Sequence, residues 1–138
     1  SRHYLALAIA PRELLDGASN NDNSLANTPE NVAGVLGIDI ELLGRARARE
    51  ALAAHYYHPN EHALATSELG FLTIWTRKEA IVKAHGIGLR ISLKSLNTAT
   101  DIVDHSQLGR WQCNSFSLQE HSHEIAVLSL SWPATRKP

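Results

Sequence analysis

Phe71-Leu-Thr-Ile-Trp-Thr-Arg-Lys-Glu-Ala-Ile-Val-Lys-Ala-His85 is the stretch on which the fold turns. Its apolar residues Phe71, Leu72, Ile74, Trp75, Ile81 and Val82 recur at helical spacing, and Gly86 is a natural C-terminal stop. The pattern predicts a long helix over residues 71–85. Glu79 and Lys83 stand four positions apart and share one face, with Trp75 one turn earlier on that side. Alone, such a Glu–Lys pair is an ordinary exposed feature worth roughly a few tenths of a kcal/mol. Arg77 and Lys78 add positive charge of the kind helices carry on a solvated face. Trp75 reads as a packing residue.

Upstream, Val35-Leu-Gly-Ile-Asp-Ile-Glu41 alternates as a strand does. Leu36, Ile38 and Ile40 fall on one face, and Gly37, Asp39 and Glu41 on the other. Two carboxylates on one side of a strand, beside a glycine, make an acidic site with little steric cover. Burying both is costly unless a cation compensates, and a hard cation such as Mg²⁺ suits carboxylate oxygens. The D-x-E spacing by itself is common, and a strand-end Asp39 with a solvated Glu41 fits it too.

The remaining chain supplies strands and shorter helices. Tyr4–Ala10 reads as a buried strand closed by Pro11, and residues 14–34 as a long flexible loop of turn formers. Arg45–Tyr57 is helical by composition, and Pro59–Ala65 looks like a short helix with proline at its start. A short strand is expected within Leu89–Leu96, and longer ones over Gly109–Leu118 and Glu124–Trp132, joined by the polar turn Gln119–His123. Pro133–Pro138 reads as a frayed tail. The count is about five strands and three helices in one domain spanning residues 1–138.

Composition narrows the function classes. The 138 residues are 43% apolar and 20% charged, enough for a core and too apolar for a wholly disordered chain. Thirteen Lys+Arg against fourteen Asp+Glu give a net charge of −1, which argues against a nucleic-acid-coating protein. The single Cys113 allows no internal disulfide and reads as a small buried hydrophobe. No apolar run is long enough to span a membrane and no signal peptide is visible, so the expected compartment is cytoplasmic. The chain contains no methionine and opens on a strand-like run, which reads as a piece of a longer polypeptide or a processed chain. His58 and His62 are i,i+4 and His121 and His123 flank one serine. Zinc would need three or four converging ligands, so these read as surface histidines.

The acidic strand and the helix together are far more specific than either alone. Gly37-Ile-Asp-Ile-Glu41, followed by Trp75-Thr-Arg-Lys-Glu-Ala-Ile-Val-Lys83, resembles the paired motifs of the 4′-phosphopantetheinyl transferase superfamily. Ala84-His-Gly-Ile-Gly-Leu89 is similar to that family's continuation, and Tyr56-Tyr-His-Pro-Asn-Glu61 loosely matches an aromatic-Pro-x-Glu element before the helix. The Trp-Thr form leans towards the enzymes built of two similar halves. Ser1–Ala10 is similar to the segment that opens the second half, so the resemblance implies one half of a pseudo-dimer, with 14–34 as an insertion.

The resemblance implies an α+β fold, an antiparallel sheet packed against a long helix. It implies transfer of phosphopantetheine from coenzyme A to a serine of an apo acyl or peptidyl carrier protein. In those terms Asp39, Glu41 and Glu79 would hold Mg²⁺. Glu79 is the candidate base, Lys83 would lie against the phosphates, and Lys78 is a second phosphate contact. Arg45 and Arg49, i,i+4 on the expected helix, would meet the acidic carrier, although a solvated face paired with Glu50 fits them as well. The partners implied are the carrier, coenzyme A, and a second copy or an N-terminal half-domain; no nucleic acid or membrane is expected. Two other readings remain: a non-catalytic half-domain that binds coenzyme A or a carrier, and an unrelated metal phosphodiesterase. The latter fits the carboxylates but not the Lys-Glu-Ala-x-x-Lys run.

Overall fold

The computed structural model describes residues 36–134. The expected strand Tyr4–Ala10, the loop 14–34 and the end of the tail, 135–138, lie outside the described residues. The observed elements are β1 (Gly37–Leu42), α1 (Arg49–Tyr56), α2 (Glu68–His85), β2 (Ile102–His105), β3 (Gly109–Glu120) and β4 (His123–Pro133). The strands form one antiparallel sheet in the order β1-β4-β3-β2, with α2 lying across it. This is the α+β architecture expected. No helix among the described residues is long and apolar enough to cross a membrane.

α2 begins one turn earlier than its apolar pattern indicates. Ser67 caps it, its hydroxyl accepting from the Gly70 amide at 3.0 Å. Gly70 is a poor helix former but is required: a Cβ there would lie 1.9 Å from the Leu64 carbonyl oxygen. At the other end Gly86 takes φ 74°, the left-handed stop the sequence predicts.

Elsewhere long-range partners override local pattern. α1 starts at Arg49 rather than Arg45, because the Glu68 carboxylate accepts from the amides of Gly44 and Ala46 and holds that segment as a turn. Pro59–Ala65 forms two short 3₁₀ turns, Pro59–Glu61 and Leu64–Thr66, in place of one helix. The strand expected within Leu89–Leu96 is likewise two 3₁₀ turns, Gly88–Arg90 and Leu93–Ser95. β2 is an additional strand that the sequence reading did not single out. β3 and β4 close through His121 and Ser122, both at positive φ, a two-residue hairpin whose twist matches the strands.

The helix covers the polar side of the sheet. Gly37, Asp39 and Glu41 of β1 align with Ser131, Ser129 and Val127 of β4, and these with Cys113, Ser115 and Ser117 of β3. Thr76 of α2 and Ser129 share a 2.7 Å hydrogen bond, and Arg77 donates to Ser115 at 2.8 Å, which fixes this as the face under α2. Gly37 is needed for the approach, since a Cβ would lie 1.9 Å from the Ala80 carbonyl oxygen. Apolar clusters close the two ends. Tyr57, Phe71, Leu72 and Val127 lie at one, and Ile81, Leu96, Trp111 and the buried Cys113 at the other. Ile38, Ile40, Leu128, Leu130, Phe116 and Leu118 point the opposite way. Phe116 is 47% exposed, and among the described residues both helices lie on the far side.

Candidate functional site

The acidic motif and the helix motif meet where β1 passes under α2. Asp39 and Glu41 leave the same side of β1, and Glu79 and Lys83 leave the facing side of α2. The Lys83 ammonium donates to Asp39 Oδ1 at 2.5 Å. Asp39 is only 7% exposed whereas the Lys83 side chain is 54% exposed, so a buried carboxylate meets a cation that reaches in from solvent. Asp39 Oδ2 is buried with no hydrogen-bond partner among the described residues.

The electrostatics describe a site short of positive charge. Burial, and then the Asp39 charge, push the Glu79 carboxyl above the usual carboxylate range, with Lys83 opposing. Glu41 is also raised, by burial first, then by Asp39, with a smaller push from Glu79. Burial works against the charged form of Lys83, but the Asp39 hydrogen bond and the negative charge of Asp39, Glu79 and Glu41 together raise its pKa. Glu79, Glu41 and Lys83 therefore each feel the charge of Asp39.

Among the described residues, no three acidic, histidine or cysteine side chains converge closely enough to hold an ion. The donor set nonetheless fits a hard cation. It is all carboxylate oxygen, it carries excess negative charge, and one buried oxygen has no partner among the described residues. Asp39, Glu41 and Glu79 are the residues that would hold such an ion.

Lys78 does not join this cluster, a correction to its expected phosphate contact. Its side chain is fully buried, and its ammonium is 2.8 Å from Glu61 Oε2 and hydrogen-bonded to the carbonyls of Leu93 and Leu96. Burial lowers its pKa, and Glu61 opposes that shift. Glu61 also accepts from Thr98 N at 2.6 Å, Thr98 Oγ1 at 2.9 Å and His58 N at 2.7 Å. Neighbouring positions on a helix point about 100° apart, so Lys78 turns into the scaffold while Glu79 faces β1. Glu61 is the structural partner of Lys78 that sequence reasoning missed; its signal was the acidic end of Tyr56-Tyr-His-Pro-Asn-Glu61. Arg77 is likewise no solvated charge. It bonds Ser115, the Thr98 carbonyl at 3.1 Å and Asp101 at 2.7 Å, tying α2 to the sheet and to the segment before β2.

Arg45 and Arg49 do not share a helix face, because Arg45 precedes α1. Arg49 stands 3.8 Å from Glu68. Arg45 instead borders a groove of about 210 Å³ beside the acidic cluster, together with Glu41, Leu42, Phe71, Leu72 and Trp75. Trp75 packs on Phe71 and Tyr56, with ring centroids 6.4 and 5.9 Å away, in keeping with its expected packing role.

The sequence profile of the 4′-phosphopantetheinyl transferase superfamily matches residues 35–133. The match runs from the start of the acidic strand to the end of the sheet and takes in every element described above. The chain belongs to this superfamily. No curated protein and no solved structure gives a significant match.

Proposed function

We propose that the chain transfers 4′-phosphopantetheine from coenzyme A to a serine hydroxyl of an apo acyl or peptidyl carrier protein, with Mg²⁺ held by Asp39, Glu41 and Glu79. Family membership supports phosphopantetheine transfer in general. The observation that carries the finer reading is Asp39 held by Lys83 between β1 and α2, with Glu41 and Glu79 near enough to feel its charge and, among the described residues, one buried Asp39 oxygen unpartnered.

When bound, the metal supplies neutralisation of charge on the pyrophosphate. The other parts fall to the chain itself. Glu79 takes the proton of the acceptor serine, directly or through water. The serine oxygen forms a bond to the pantetheine-bearing phosphorus. The bond from that phosphorus to the bridging oxygen breaks, and adenosine 3′,5′-bisphosphate leaves. Lys83 stabilises charge on the phosphates, its exposed stem allowing the ammonium to reach an anion. The groove lined by Leu42, Phe71 and Trp75, with Arg45 beside it, suits an acidic carrier that also presents apolar side chains.

A second copy or an N-terminal half-domain completes this reading. A lone two-layer domain turns large aliphatic side chains towards its helices, whereas among the described residues Ile38, Ile40, Leu128 and Leu130 lie on the sheet face turned away from α2. No charged side chain stands in its central rows Ile38–Leu130–Asn114 and Ile40–Leu128–Phe116, so two copies could meet there without like-charge repulsion. Sedimentation of the chain, alone and with Phe116→Lys, measures self-association; a wild-type monomer would refute the second copy and leave the half-domain.

The decisive experiment is intact-mass spectrometry of an apo carrier incubated with the chain, coenzyme A and Mg²⁺, with Glu79→Gln alongside. A gain of one phosphopantetheine, lost in the variant, is expected. Hydrolysed phosphoesters without carrier modification would favour a phosphodiesterase. Coenzyme A or carrier binding with no transfer would leave a non-catalytic half-domain.

A further inference from the structure

Lys83 stands where a second cation has to come. Its ammonium holds Asp39 Oδ1, the buried carboxylate of the acidic motif, and the negative charges of Glu79 and Glu41 also draw it in. Asp39 has no other hydrogen-bond donor to its side chain among the described residues, and its second oxygen has none. A divalent ion at the unpartnered Oδ2 would lie within a few ångströms of the ammonium on Oδ1, and the repulsion between the two cations favours release of Lys83. Lys83 is also the most mobile candidate in the cluster, since it is more than half exposed on a four-carbon stem, while Asp39 is fixed on a central part of β1.

Resting on the metal site proposed above, we infer that Lys83 is a built-in stand-in cation. In the metal-free chain it neutralises Asp39 and keeps the acidic strand docked under α2. A divalent ion displaces it, and the released ammonium then becomes available to the phosphate oxygens of the substrate. Metal and phosphate binding are therefore coupled: Lys83 serves the anion only after the metal has relieved it of Asp39. A lysine whose one task is to touch phosphate would leave metal binding in the absence of substrate unchanged.

The test is Mn²⁺ binding to the full chain without coenzyme A, read by electron paramagnetic resonance, for wild type, Lys83→Gln, Lys83→Arg and Arg45→Gln. Lys83→Gln is expected to bind Mn²⁺ at least tenfold more tightly, because it removes a unit charge from hydrogen-bond contact with a ligand oxygen. Lys83→Arg, which keeps a cation for Asp39, should stay within about threefold of wild type. Arg45→Gln removes a positive charge that lines the same groove as Glu41 and should change affinity less than threefold, which separates competition from general electrostatics. Thermal melting supplies a second readout: without metal Lys83→Gln melts below wild type, and saturating Mn²⁺ raises its melting temperature by more than it raises that of wild type. Unchanged or weaker Mn²⁺ binding by Lys83→Gln, with wild type binding, overturns the stand-in role and leaves the metal site intact. Failure of every variant to bind Mn²⁺ overturns the metal site and the inference with it.

Discussion

Replacing Lys78 with methionine tests whether the first lysine of the helix motif is scaffold or chemistry. Lys78 and Glu61 are both completely buried, with 2.8 Å between their charged atoms. Methionine fills a similar volume but leaves Glu61 as a buried carboxylate without a counter-charge. Breaking a buried pair in this way costs about 3–5 kcal/mol. Glu61 keeps three donors, from His58 N, Thr98 N and Thr98 Oγ1, so the lower end, about 3 kcal/mol, is expected. For a domain of 138 residues each kcal/mol lowers the melting temperature by roughly 3–5 °C, which gives a fall of roughly 9–15 °C. Urea titration and calorimetry measure it. In Lys78→Met/Glu61→Gln neither charge remains, so the double variant should be more stable than the sum of the two single losses predicts, by about 2 kcal/mol. A loss below about 1 kcal/mol for Lys78→Met, or strict additivity in the double variant, would refute the argument. Weakened coenzyme A binding at unchanged stability would restore the phosphate contact for Lys78.

Gly37→Ala should force β1 off α2, since the new methyl would lie 1.9 Å from the Ala80 carbonyl oxygen; we expect a loss of about 1–3 kcal/mol in urea titration together with weakened Mn²⁺ binding. Gly86→Ala places a Cβ at φ 74° with open space around it, so it should cost about 1–2 kcal/mol through the backbone alone and leave Mn²⁺ affinity unchanged. His105 gives a pH signature: burial lowers its pKa, and its Nδ1 accepts from the amides of Gln107 and Leu108 at 3.2 and 3.3 Å, which only the neutral ring can do. The unfolded chain thus binds this proton more readily, so stability should fall as pH drops through 6.5 and below, and His105→Asn should flatten that slope in melts between pH 5 and 7.5. A slope unchanged in His105→Asn would assign it to another group.

How much of this was legible depends on where each residue's partner lies. α2 could be read because its signals are local: apolar spacing, and a glycine to end it. Its first turn was hidden by Gly70, whose reason is a carbonyl from Leu64 that no periodicity displays. The acidic face of β1 was equally legible from its alternation. The segment Leu89–Leu96 misled because its spacing suits a strand. Its carbonyls at Leu93 and Leu96 are turned instead onto the Lys78 ammonium, which comes from the middle of α2. The late start of α1 has the same kind of cause, with Glu68 reaching back to Gly44 and Ala46. β2, with four residues and one fully buried side chain, is too short to carry a pattern of its own.

The run Lys78-Glu79 through Lys83 shows why a motif of charges can be shared between stability and chemistry. A helix turns about 100° per residue, so Lys78 and Glu79 cannot face the same surroundings. Lys78 goes inward and is held by Glu61 and two carbonyls, which fixes the rotation of α2 about its own axis. Arg77 fixes it again from the sheet side, through Ser115 and Asp101. With its rotation pinned at two adjacent positions, α2 has no freedom to carry Glu79 and Lys83 away from β1. Gly37 then sets the distance between the two elements. The buried lysine is the reason the exposed one is in place: removing the inner charge should loosen the helix that aims the outer ones, so Lys78→Met should weaken Mn²⁺ binding although Lys78 itself touches no site oxygen.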